Sequence, residues 1–263
     1  MKKTLTVAMA AAALAVVPAT TALADGHDTA EVVIVHGVPG LEVDILVNGE
    51  TSDVTGFNFG DDPVVIDVPA DGYTFGVAAT GTTDAVLELD ASLEAGASYS
   101  AVAYLDTNGD PQLQAFANET DATGIQPFHV ANFPAVDILS GDTAVLAGVT
   151  NGQTARIDVD GGTTVEAVGI GAAGSGEAAL ELGDVDVPED TLVLVYAIGP
   201  DEGAELPSVV TAAVDVTSDA PTAEHSPGEA GLASSSLPAW AMALMAIGAL
   251  SLAVPTVATA RRR

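Results

Sequence analysis

The sequence predicts an all-β protein: two tandem immunoglobulin-like β-sandwich domains, preceded by a signal peptide and followed by a transmembrane helix. Three observations carry this. Aromatic residues make up only 4% of the 263, while Val, Ala, Thr and Gly are abundant, a composition of strands and tight turns. Short apolar alternations recur between turn signals, and no apolar repeat of helical period lasts outside the termini. Finally, blocks of sequence return at a constant spacing, as two related domains require.

At the N-terminus, Lys2 and Lys3 precede an apolar stretch from Leu5 to Val17. Ala22-Leu23-Ala24 then places small residues where a signal peptidase reads, so residues 1–24 are expected to be removed and Asp25 to begin the mature chain. At the other end, Leu237 to Ala260 carries no charge and is closed by Arg261, Arg262 and Arg263. That length spans a bilayer as a helix. Trp240 sits where an interface anchor would lie, and the arginines favour the cytoplasmic side. The expected location is therefore the cell membrane, with a single pass, the body outside and a basic tail at 261–263.

All 37 acidic residues lie between the two terminal segments, with Arg156 as the one basic residue there, so the exported part carries a charge near −36. Such a surface excludes nucleic acid as a partner and predicts a soluble, monomeric ectodomain. Cysteine is absent, which excludes disulfides, thiolate catalysis and cysteine metal sites.

The duplication is read from three anchors. Val35-His36 with Val43-Asp44-Ile45 recurs as Phe128-His129 with Val136-Asp137-Ile138, 93 residues on. Ala85 to Leu89 matches Ala178 to Leu182 at the same offset, and a slip of one matches Tyr104 to Tyr196. Two domains follow, at 25–120 and 125–216, with a boundary near Asn118 to Gly124.

In copy one, strands are expected at Leu41 to Val47 (closed by the Asn48-Gly49 turn), Val64 to Val68, Tyr73 to Ala78, Ala85 to Leu89, Tyr99 to Leu105 and Gln112 to Phe116. In copy two they are expected at Ala155 to Val159, Thr164 to Ile170, Ala178 to Leu182 and Leu192 to Ile198. Residues 217–236, rich in Ser, Pro, Ala and Gly, read as a flexible stalk. Ser236-Leu237-Pro238-Ala239-Trp240 is similar to a cell-wall sorting signal but departs from it at the two residues between which the transpeptidase cuts. Retention by the helix is therefore expected.

His36, Pro39, Val43-Asp44-Ile45 and Leu93-Glu94-Ala95-Gly96-Ala97-Ser98-Tyr99 together resemble the DUF4397 family of secreted or cell-surface domains. Copy two keeps His129, Pro134, Val136 and Asp137 but has Val187-Pro188-Glu189-Asp190 where the glycine turn is expected, and so is a divergent copy. The resemblance implies a β-sandwich at the cell surface, and it carries no known reaction.

The repeated His36 with Asp44, and His129 with Asp137, admit three readings. A ring nitrogen can hydrogen-bond the carboxylate as a structural pair, the residues can contact a ligand or metal, or they can catalyse. Catalysis lacks a nucleophile, and one imidazole with one carboxylate falls short of a zinc site. Asp106-Thr107-Asn108-Gly109-Asp110 begins like a calcium loop. Pro111 and Ala117 occupy two positions that motif needs, so Asp106, Asn108 and Asp110 read as a plain turn or a weak Ca2+ site. Asn118-Glu119-Thr120 is a glycosylation sequon whose use depends on the host.

The expected function is a non-enzymatic, membrane-tethered structural, adhesive or binding module. It needs no cofactor, and its partner would be a cell-envelope polymer or surface protein. A calcium-dependent surface module is one alternative. A secreted hydrolase or carbohydrate-active domain is another, and it would need Asp44 and Asp137 in one cleft, about 5 to 9 Å apart.

Overall fold

The computed structural model describes residues 28–216, which form strands, turns and loops. Copy one contains β1 (Thr29–His36), β2 (Glu42–Val47), β3 (Glu50–Thr51), β4 (Phe57–Asn58), β5 (Val64–Pro69), β6 (Gly72–Ala79), β7 (Ala85–Ser92), β8 (Ser98–Leu105) and β9 (Pro111–Ala117). Copy two contains β10 (Gly124–Ala131), β11 (Val136–Ser140), β12 (Thr143–Val149), β13 (Gln153–Thr154), β14 (Ile157–Asp158), β15 (Thr163–Ala172), β16 (Leu180–Val187), β17 (Thr191–Gly199) and β18 (Ser208–Asp215). The architecture is all-β with two domains. The expected signal peptide, stalk and membrane helix lie outside the described residues. Among the described residues no helix is long and apolar enough to cross a membrane.

Each copy is built from two sheets. In copy one the orders are β5-β1-β8-β9 and β3-β2-β6-β7, with β4 also pairing β2. In copy two they are β13-β10-β17-β18, with β14 also on β10, and β12-β11-β15-β16. The pairs β1 with β8 and β10 with β17 are parallel, and the others are antiparallel.

Burial pattern separates the strands into two kinds. The outer strand β7 alternates strictly between half-buried and exposed residues, the signature of a strand with one wet face. By contrast β10 is buried at every position, and β1 and β17 nearly so. Runs such as Val32-Val33-Ile34-Val35 are apolar on both faces and must be covered on both.

The first face of β1 and β8 supplies Val32, Ile34, Ala101 and Ala103 to a core shared with Ile45, Phe75 and Val77 of the partner sheet. Their second face, with Val33, Val35, Val102 and Tyr104, packs against Phe128, Val130, Leu194 and Tyr196 of copy two. Phe128 stacks on Tyr196 at 4.5 Å between ring centroids, and Phe116 of copy one meets Phe128 edge-on at 5.5 Å. The far face of the second inner sheet, including Val193, Val195 and Ala197, then packs against β11, β15 and β16. The two copies are thus joined back to back as four layers with a continuous apolar centre.

Three expectations need correction. Of the strand expected over Ala155 to Val159 only Ile157 and Asp158 pair, as β14, and Arg156 before them ion-pairs with Asp121 and Asp158. The match of Tyr104 to Tyr196 also fails. Val35 pairs with Val102 in copy one, and its equivalent Phe128 pairs with Tyr196 in copy two, so Tyr196 stands where copy one has Val102. The cause lies upstream: register shifts between β15 and β16 around Gly183 add a residue to copy two, and the offset becomes 94 beyond it. On that offset Asp190 takes Gly96's place. It adopts φ 53 against 73, so the left-handed turn survives without glycine. Finally, Pro134 occupies the position of Leu41 and not that of Pro39, since His129 bonds Pro134 as His36 bonds Leu41.

Candidate functional site

Both histidines and both aspartates are buried at the same places in the two copies, with 2–4% exposure. Neither histidine bonds its aspartate. His36 Nε2 donates to the Leu41 carbonyl at 3.0 Å, and His129 Nε2 donates to the Pro134 carbonyl at 3.0 Å. Each ring therefore closes the loop between the first two strands of its copy. A carbonyl can only accept, so the proton sits on Nε2 and Nδ1 carries a lone pair. Both Nδ1 atoms are buried without a partner. Burial lowers the pKa of both rings, more than the bonded carbonyls raise it.

The aspartates act on backbone. Asp44 Oδ1 accepts the Gly56 N–H at 2.9 Å and Oδ2 the Gly81 N–H at 2.7 Å. Asp137 repeats this with Gly148 at 2.8 Å and Gly174 at 2.7 Å. All four glycines have positive φ, from 63 to 79. The conformation turns each N–H inward to the carboxylate, and a side chain there would resist it. One buried carboxylate thus pins two loops per copy. Asp44 lies in β2 and Asp137 in β11, so the two acids stand in the two outermost layers and share no cleft.

The loop from Asp106 to Asp110 joins β8 to β9. Asp106 Oδ1 accepts the N–H groups of Asn108 at 2.8 Å and Asp110 at 2.9 Å, and the Asp106 N–H returns to the Asp110 carbonyl. Those backbone donors, Asp110's first, lower the Asp106 pKa. Among the described residues no group of three or more His, Cys, Asp or Glu side chains could hold a metal ion.

Asn118 is only 6% exposed. Its Nδ2, the atom a glycan would occupy, donates to Ser98 Oγ at 2.8 Å, and its Oδ1 accepts from Ser100 at 2.6 Å. Ser98 in turn donates to Glu31 at 2.8 Å. The single Ser100 hydrogen is spent on Asn118, so the Tyr196 hydroxyl donates to Ser100 Oγ at 2.7 Å. This chain of bonds runs from one copy into the other through the apolar centre. Burial raises the pKa of Glu31 and pushes Tyr196 far up, so both ends stay protonated more readily than in water.

Sequence reasoning missed one further feature. Copy two holds an apolar cavity of about 410 Å³ between its sheets, walled by Ile138, Ile170, Leu182 and their neighbours, with Ser140, Asp184 and Asp186 among its polar residues. The matching space in copy one is about 10 Å³.

Residues 30–138 match the domain of unknown function DUF4397. The protein therefore contains a DUF4397 domain. The match covers β1 to β10 and ends within β11, so it takes in both histidines and both aspartates described above. The rest of copy two is a second, diverged β-domain of the same plan, as a tandem duplication leaves. A search of curated proteins found no match.

Proposed function

We propose that the chain is a non-enzymatic surface module, exported by residues 1–24 and held to the cell membrane by residues 237–260. In this reading two immunoglobulin-like sandwiches act as one rigid unit on the stalk at 217–236, and they present an acidic surface to a cell-envelope polymer or surface protein. The observation that carries it is the shared apolar centre between the copies, which makes a stiff block of two domains that would otherwise hinge.

The buried aspartates favour this over a hydrolase. Their oxygens are taken by backbone N–H groups and they lie in separate outer layers, whereas glycoside hydrolysis by a carboxylate pair needs two free carboxylates facing one substrate. Fractionation of cells expressing the full chain tests the proposal. The expected result is a chain retained in the membrane pellet through alkaline extraction, cleaved by external protease, and released to the medium when cut after Ser236. A full chain found in the cytoplasm or free in the medium would overturn it.

A further inference from the structure

The cavity in copy two is explained by three positions. Phe57 pairs with Val43, Phe75 with Val47 and Tyr99 with Val32 in copy one, and all three rings pack into its core. The residues in the same pairings in copy two are Val149, Val168 and Val193, and each lines the cavity. Ala101, replaced by Val195 in the offset register, returns only a fraction of the lost volume.

A void of this size has a physical cost. Its lining atoms have no partners on one side and lose dispersion contacts. An apolar wall cannot hold water by hydrogen bonds, and a cavity of about 150 Å³ already takes up a small hydrocarbon. At about 410 Å³ the space falls within the range of small-molecule sites. Val, Ile and Leu make up most of its walls, beside His129, Ser140 and Thr211, and they favour an aliphatic ligand over one rich in polar groups. Asp184 and Asp186 are exposed at the cavity's edge, on a chain of strong negative charge, and disfavour an anionic end group.

We propose that copy two is a binding site for a free aliphatic molecule whose end group is uncharged or cationic, an alkyl alcohol or alkyl amine, seated between the β10-β17 sheet and the β11-β15 sheet. This does not depend on membrane tethering, and it adds to the module a specific ligand class that copy one cannot take.

The test uses residues 25–219, which contain every core described above, titrated with 1-decanol, decylamine and decanoate. Methyl NMR reports the site. The resonances of Ile138, Ile170 and Leu182 should shift saturably with the alcohol and the amine, while those of Ile34 and Ile45 in copy one stay still. Decanoate should bind about tenfold more weakly or worse. Val168→Phe combined with Val193→Tyr, which installs the copy one side chains, should abolish the shifts while the copy one spectrum is unchanged. Silence of the copy two methyls with all three probes would overturn the site. Equal binding of decanoate would overturn the charge preference, and binding that survives the filled variant would overturn the location. Should the filled variant fail to fold, the methyl map of the unaltered chain decides.

Discussion

Copy one and copy two share their polar fastenings and differ in their filling. His36 and His129 close the same loop, and Asp44 and Asp137 hold the same pair of turns, with bond lengths agreeing within 0.1 Å. Between the sheets the copies diverge, one packed with Phe57, Phe75 and Tyr99 and the other left open beside Val149, Val168 and Val193. In this fold the loops and strand order are therefore held by buried hydrogen bonds and by inner strands covered on both faces. The space between sheets can be filled or hollow without altering the topology.

The most damaging test of that contrast removes filling from each copy. Phe75→Ala should cost about 3–5 kcal/mol, because a ring is cut from a packed core. Val168→Ala, whose side chain already borders a cavity, should cost about 1 kcal/mol. Urea unfolding of the two variants measures both, and equal losses would mean that the copies are packed alike.

The next test attacks what they share. Asp44→Ala and Asp137→Ala each take the acceptor from two part-buried hydrogen bonds of loop glycines, at about 1–2 kcal/mol apiece. The expected loss is about 2–4 kcal/mol in either copy. Asparagine should be milder, since it keeps one acceptor. A large loss in one copy only would break the equivalence of the two clamps.

Much of this was legible in the sequence. Strands with one wet face, such as β5 and β7, announce themselves by alternation, and the offset of 93 exposed the duplication before any coordinates. The partners of Asp44 were not legible, because Gly56 and Gly81 lie 12 and 37 residues away and only the folded sheet brings them back. The joining of the copies was hidden for a different reason. Val33 and Val35 declare that a second face is buried but not what covers it. The cavity required the true register, and the residue added near Gly183 obscured which side chain replaced which.

A smaller effect separates the two tyrosines that the sequence had equated. The Tyr196 hydroxyl donates across the copies to Ser100, whereas the Tyr104 hydroxyl donates to Gln114 within copy one. Tyr196→Phe should lose about 1–1.5 kcal/mol, since Ser100 is fully buried and water cannot replace the donor. Tyr104→Phe should lose less, because Gln114 is only half-buried and water can reach its amide. Thermal midpoints of the two variants check the order, and its reversal would place the polar chain outside the junction's stability.

The smallest expected effect is on pH dependence, and it should be similar in both copies. The folded pKa of each histidine lies below its unfolded value, so the unfolded chain binds more protons in the interval between them. The stability each neutral ring contributes is then fully present above about pH 6.5 and is lost as the pH falls below it. The numerous carboxylates act in the opposite direction, since protonating them relieves repulsion, so the histidine contribution must be read as a difference. Thermal midpoints of the chain and of a His36→Gln, His129→Gln double variant, followed from pH 8 to 5, should converge with acidification. His36 also feels Asp61, which draws its pKa upward, whereas His129 is raised by the backbone of Pro134 and Phe133. Added salt should therefore screen the carboxylate's pull and shift the His36 titration more than that of His129. Single variants at two ionic strengths measure this, and a larger salt effect at His129 would show that the two rings sit in less similar surroundings than their shared geometry implies.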